Sequence, residues 1–130
     1  LPLRMIFSSL SFPNIPSKFI SAFILGYYDG DGGFTYAHVD EQGYKSIKGH
    51  WHLLASNIFI EKLSKIISDL GITYCIIKRP CSEGRSLGHM RVASIDGIKK
   101  IREFLYADAP FYLKRKKEKM DEYLKLRNAI

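Results

Sequence analysis

Two carboxylates open a run of glycines, Asp29-Gly30-Asp31-Gly32-Gly33. Acidic side chains two residues apart among glycines serve one of two ends. They offer hard oxygen ligands to a divalent cation, or they stop a helix by bonding backbone amides in Asx turns. A calcium loop of the helix-loop-helix kind is excluded by its spacing. Counted from Asp29, the sixth position, which needs glycine, is Phe34, and the twelfth, which needs glutamate, is Asp40. The other side chains with chemistry to offer are cations and imidazoles: Lys48, His50, His52, Lys78, Arg79, Arg85, His89 and Arg91. No third ligand is spaced to complete a metal site with His50 and His52. Residues of these types suit phosphates and base edges instead.

The elements that must carry these groups follow from the hydrophobic pattern. Pro13 and Pro16 make residues 1–16 an extended arm or linker, and one domain is expected over 17–130. Ser17 is placed to cap a helix from Lys18 to Tyr28, apolar around most of its circumference and halted by the glycines. Alternation predicts strands at 34–40 and 44–55, joined through Glu41-Gln42-Gly43. A helix at 58–70 ends at Gly71, and strands follow at 72–79 and 88–95. Asp96 is read as the cap of a helix reaching Tyr106, and Pro110 as the first turn of a last helix ending near Arg127. Strands arriving in hairpin pairs predict an α+β domain: one antiparallel sheet with helices on a single face. Alternation then sends Trp51, Leu53, Ala55 and Phe34 inward, and Lys48, His50, His52, Thr35, Ala37 and Val39 to the open face. Lys78 is assigned to that open face. Met120, Tyr123 and Leu124 supply the buried stripe of the last helix, whose lysines read as a solvated face. Ala22, Gly26 and Gly30, four apart, leave the first helix a stripe along which a second helix backbone could approach closely.

Composition narrows the class of function. The 130 residues carry 20 Lys plus Arg against 13 Asp plus Glu, a formal charge of +7, which draws the chain to polyanions. Cys75 and Cys81 are too few for a secreted disulfide scaffold and read as free thiols in a reducing compartment. No apolar run is long enough for a membrane span, and no signal peptide opens the chain. A soluble, intracellular, DNA-associated protein without a membrane partner is the expectation. The start at Leu1 is read as a sign of excision from something longer.

The segment Ile24-Leu25-Gly26-Tyr27-Tyr28-Asp29-Gly30-Asp31-Gly32 resembles the LAGLIDADG motif of homing endonucleases, most specifically in its DGDG ending. The αββαββα order and the basic final helix extend the resemblance over about residues 13–127. Leu25 stands where that family has a small alanine, and Tyr27 and Tyr28 replace aliphatics. The resemblance implies a saddle-shaped antiparallel sheet lying on double-stranded DNA, and a site-specific endonuclease that cuts both strands with magnesium, manganese substituting. It makes Asp31 the metal ligand together with the Gly30 carbonyl, leaves Asp29 to anchor the turn, and puts Arg91 near the active centre. DNA contacts would fall to Thr35, Ala37, Lys48, His50, His52, Lys78, Arg85 and His89. Two motif helices would pair along Ala22, Gly26 and Gly30, bringing two Asp31 carboxylates together, either in a homodimer or between halves of a longer chain. The arm from Leu10 to Pro16 favours the second. Intron or intein mobility is the implied setting, although the end Arg127-Asn128-Ala129-Ile130 lacks the His-Asn pair of a splicing domain. The same fold also serves in non-catalytic DNA- or RNA-binding modules, namely transcription regulators and intron maturases.

Overall fold

Apolar residues at every second position settle which side of the sheet is covered. In β2 (Tyr44–Ser56), Trp51, Leu53 and Ala55 share one face and are completely buried. In the computed structural model, which describes residues 15–80 and 86–130, β2 pairs on one side with β1 (Gly33–Glu41) and on the other with β4 (Ser86–Val92). β3 (Cys75–Pro80) closes the far edge, giving the order β1-β2-β4-β3 with every pairing antiparallel. Gln42 and Gly43, both at positive φ (53° and 83°), make the two-residue turn between β1 and β2, the backbone shape that matches strand twist.

Four α-helices are found among the described residues: α1 (Ile20–Asp31), α2 (Asn57–Asp69), α3 (Ile95–Tyr106) and α4 (Lys114–Leu126). They cover the Trp51 face. Tyr28 of α1 stacks on Trp51 with ring centroids 5.2 Å apart, and Tyr27 stacks on Phe59 of α2 at 4.7 Å. α2 starts on the Ser56 hydroxyl, which accepts from the Phe59 amide. It ends at Gly71 (φ +74°), where the amides of Gly71 and Ile72 bond the Ser68 and Ile67 carbonyls in the Schellman pattern. None of these helices is long and apolar enough to cross a membrane.

Several boundaries differ from expectation. Ser17 caps nothing: the Pro16 carbonyl accepts from the Phe19 amide at 2.9 Å, so Ser17–Phe19 is a 3-10 turn and α1 begins at Ile20. Ser94, not Asp96, caps α3, because its backbone is extended and its hydroxyl accepts from the Gly97 amide at 3.0 Å. Asp96 instead pairs with Lys100 one turn on. Residues 110–113 are not helical, since the Leu113 amide bonds Asp29 Oδ2 at 2.9 Å. β3 begins at Cys75 rather than 72, as Ile72 is drawn into the core by the turn that ends α2.

The sheet and α4 meet most tightly at Gly49. Its pairing partner is Tyr36, and a Cβ there would lie 2.9 Å from the Tyr123 ring, itself buried against Phe34 and Tyr36. Gly49→Val therefore overpacks this contact and should lower stability by about 1–3 kcal/mol. Urea denaturation reads this as a lower midpoint, and an unchanged midpoint would show that the ring yields freely.

Candidate functional site

The end of α1 is where acidic, basic and imidazole groups converge. Helical backbone leaves the last carbonyls of α1 without intrahelical donors, and the chain must enter β1 within two residues. Glycine makes this possible. A Cβ at Gly32 would run into the Tyr28 ring and lie 3.0 Å from the His52 carbonyl, and one at Gly33 would lie 2.8 Å from the His52 imidazole. Gly33 pairs directly with His52 across the sheet. The motif turn therefore opens straight onto the uncovered face.

Lys116 of α4 locks this turn. Its ammonium donates to the carbonyls of Tyr28 at 3.0 Å, Asp29 at 2.9 Å and Gly32 at 2.6 Å, placing a cation at the negative end of the helix dipole. Burial lowers its pKa from the ordinary lysine value, with Asp29 and Asp31 acting in the opposite sense. Asp29 Oδ2 accepts from the Leu113 amide, across the chain rather than from its own turn. Asp31 Oδ2 and the second oxygen of Asp29, Oδ1, are both buried with no hydrogen-bond partner in the chain. Orphaned carboxylate oxygens at the mouth of a cationic surface fit a divalent cation, and Asp31, with neither oxygen claimed by the strap, is the freer of the two acids. No cluster of three His, Cys, Asp or Glu side chains suited to a metal occurs among the described residues. Any cation here would draw its remaining ligands from backbone carbonyls and from outside this chain.

On the open face, His50, His52, His89 and Arg91 form one patch. His52 pairs with Arg91 and lies between His50 and His89, with ring centroids 5.3 and 5.5 Å away. Thr35 Oγ1 and His50 Nε2 are hydrogen-bonded at 3.3 Å. Arg91 Nε is buried without a partner. Desolvation, reinforced by the neighbouring imidazoles, Arg91 and Lys116, pushes the pKa of His52 down to about 4, and desolvation with Arg91 lowers that of His50. Lys48 and Ala37 pair across β1 and β2 on the same face and are exposed.

Lys78 is not on this face, contrary to expectation. It pairs with Gly88, which is buried against Ile60 of α2, and its neighbour Ile76 pairs with the buried Met90, so Lys78 points to the helix side. Arg85 lies outside the described residues. Ala22, Gly26 and Gly30 are exposed on α1, and a Cβ at Gly26 would meet nothing within 4 Å. The sequence reading missed Lys116 by treating the lysines of α4 as solvated. Its position four, seven and eight residues before Met120, Tyr123 and Leu124 puts it on the buried stripe, and that spacing was the available signal.

The imidazoles make stability depend on pH. Because the folded chain holds His52 near 4 against an ordinary 6.5, the unfolded chain binds the extra proton between those values. Stability should fall as pH drops through that window. His52→Gln should lose less over the same range in urea titrations. An equal loss in both proteins would place the acid sensitivity elsewhere.

No family model and no curated protein matches the sequence. Solved structures do match by fold. The archaeal intron-encoded homing endonuclease I-Vdi141I, complexed with DNA, aligns with a TM-score of 0.64 and 19% identity over 87% of this chain and 69% of its own. The homing endonuclease I-CvuI, bound to the I-CreI target with magnesium present and the DNA not cleaved, gives 0.60 and 19% over 85% and 67%. Meganuclease I-SmaMI, bound to uncleaveable DNA, gives 0.62 and 19% over 92% of this chain but only 40% of its own length. The αββαββαα domain seen here thus has the fold of the homing endonucleases, four antiparallel strands with helices on one side.

Proposed function

We propose that this chain is the DNA-binding, metal-holding unit of a site-specific endonuclease that cuts both strands of duplex DNA. The observation that carries the reading is Asp31: a carboxylate with a buried, unpartnered oxygen, on a turn clamped by Lys116, opening onto a face of imidazoles and cations. The DNA complexes among proteins of the same fold support it. Asp31 and the Gly30 carbonyl would hold the cation. Magnesium or manganese bound there supplies an activated water and charge stabilisation on the leaving oxygen.

The remaining work falls to the chain itself. Arg91 and Lys116 place positive charge where the scissile phosphate gains negative charge, preorganised and needing no rearrangement. His50, His52 and His89, neutral near pH 7 in the case of His52, offer hydrogen bonds to base edges. Thr35, Ala37 and Lys48 extend the contact surface along the ribbon, the apolar Ala37 suiting a thymine methyl. One Asp31 serves one strand, so two units are needed. The exposed stripe of Ala22, Gly26 and Gly30 supports pairing through α1. The 40% coverage of I-SmaMI fits two such units in one longer chain as readily as a homodimer.

Asp31→Asn keeps the shape of the side chain and loses its charge. Plasmid linearisation with magnesium should disappear while gel-shift affinity stays within a few-fold, and undiminished cleavage would remove the central claim. The two lysines separate the faces of the sheet. Lys48→Ala should reduce the slope of log affinity against log salt by about one unit if it meets a phosphate, whereas Lys78→Ala, on the helix side, should leave the slope unchanged. The reverse result would move the DNA surface away from the open face.

A further inference from the structure

The strap between α3 and α4 is pinned where it enters α4, yet just before that point it holds an aromatic ring out in solvent. The Tyr112 ring lies edge-on to Tyr106 at 5.3 Å, with the Lys117 ammonium 5.7 and 5.9 Å from the two rings. Next in the chain, the Leu113 amide is held by Asp29. Immediately before these two anchors Phe111 is 88% exposed, although burying such a side chain is worth roughly 1.5–3 kcal/mol. The ring stands at the rim of a groove of about 270 Å³ that it helps to line, together with Ala22, Leu25, Gly26, Phe104 and Ala109, with Asp108 on its wall. A cavity of about 150 Å³ already takes a benzene ring.

A protruding ring and a receptive groove on one surface are the two halves of an isologous contact, in which each copy gives to the other what it receives. The charges agree with this arrangement. Acidic Asp29 and Asp108 line the groove, while the strap that carries Phe111 runs into the exposed cations Lys114 and Arg115. We infer that Phe111 is the anchor by which a second copy of this chain docks: each Phe111 fills the groove beside α1 of the other, with Lys114 and Arg115 against Asp108. The inference rests on the pairing through α1 proposed above and adds to it the residue that supplies most of the affinity, as buried aromatics do at interface centres.

Sedimentation velocity of the whole chain without DNA tests this apart from cleavage. The wild-type protein should self-associate, and Phe111→Ala should raise the dissociation constant about thirtyfold, with thermal unfolding of the monomer unchanged because the ring is exposed. Phe111→Tyr should stay within a few-fold of wild type. Gly26→Leu, which separates the helices themselves, should also give folded monomer. A wild-type chain that stays monomeric at submillimolar concentration overturns the inference. So does a Phe111→Ala protein that associates as tightly as wild type; if Gly26→Leu dissociates in that case, pairing through α1 survives without the anchor.

Discussion

At the carboxyl end of α1, Lys116 meets the carbonyls of Tyr28, Asp29 and Gly32 with one ammonium, the Tyr28 carbonyl also accepting from the Gly32 amide. Leaving a buried acceptor without any donor costs of the order of 1–3 kcal/mol. The lysine comes from a helix more than eighty residues away in sequence, so the motif turn takes its shape only when α4 is docked. Its charge matters as much as its hydrogen bonds. It sits among Asp29, Asp31 and His52, holding two carboxylates near a surface otherwise dominated by cations and imidazoles.

With the turn locked, the route of the chain into the sheet has little freedom. Gly32 and Gly33 pass so close to Tyr28 and His52 that any side chain would displace one of them. The close approach carries the chain from Asp31, the last residue of α1, into β1 within two residues. β2 then propagates the two-sidedness of the sheet. Trp51 and Leu53 receive α1 and α2 on one side, and His50 and His52 remain on the other, their protons held off by desolvation and Arg91 and, for His52, also by the neighbouring imidazoles. Packing on one face and chemistry on the opposite face are thus consequences of a single alternation.

The unit nevertheless looks unfinished by itself. Its orphaned carboxylate oxygens, Asp29 Oδ1 and Asp31 Oδ2, belong to no cluster of three His, Cys, Asp or Glu side chains among the described residues, and its most exposed aromatic borders an apolar groove along the motif helix. Asp29 links these two features: its carboxylate holds the strap through Leu113, and its carbonyl is one of the three held by Lys116. Contacts made by a partner along α1 would therefore bear on the same short stretch of backbone that presents Asp31.

Local pattern determined much of this protein. The run of acidic residues and glycines from Asp29 to Gly33, a hairpin connection containing Gln42 and Gly43, the stop at Gly71 and the inward set Phe34, Trp51, Leu53 and Ala55 are all legible because period, capping and glycine act over a few residues. The antiparallel sheet with one covered face follows from strands that arrive in pairs. What local pattern left open was which residues meet across long separations. Ile76 and Ile77 are adjacent, so alternation alone does not decide the facing of β3, and only its pairing with Met90 and Gly88 turns Lys78 to the helix side. Ser94 and Asp96 both suit a cap, and backbone direction at the end of β4 chose Ser94. Pro110 would start a helix by propensity, but the Asp29 carboxylate claims the Leu113 amide and delays α4 to Lys114. Lys116 appears in the sequence as one cation in a basic run, and only the docking of α4 against α1 makes it the clamp of the site, since a hydrogen bond is decided by where atoms arrive rather than by which residues are neighbours in the chain.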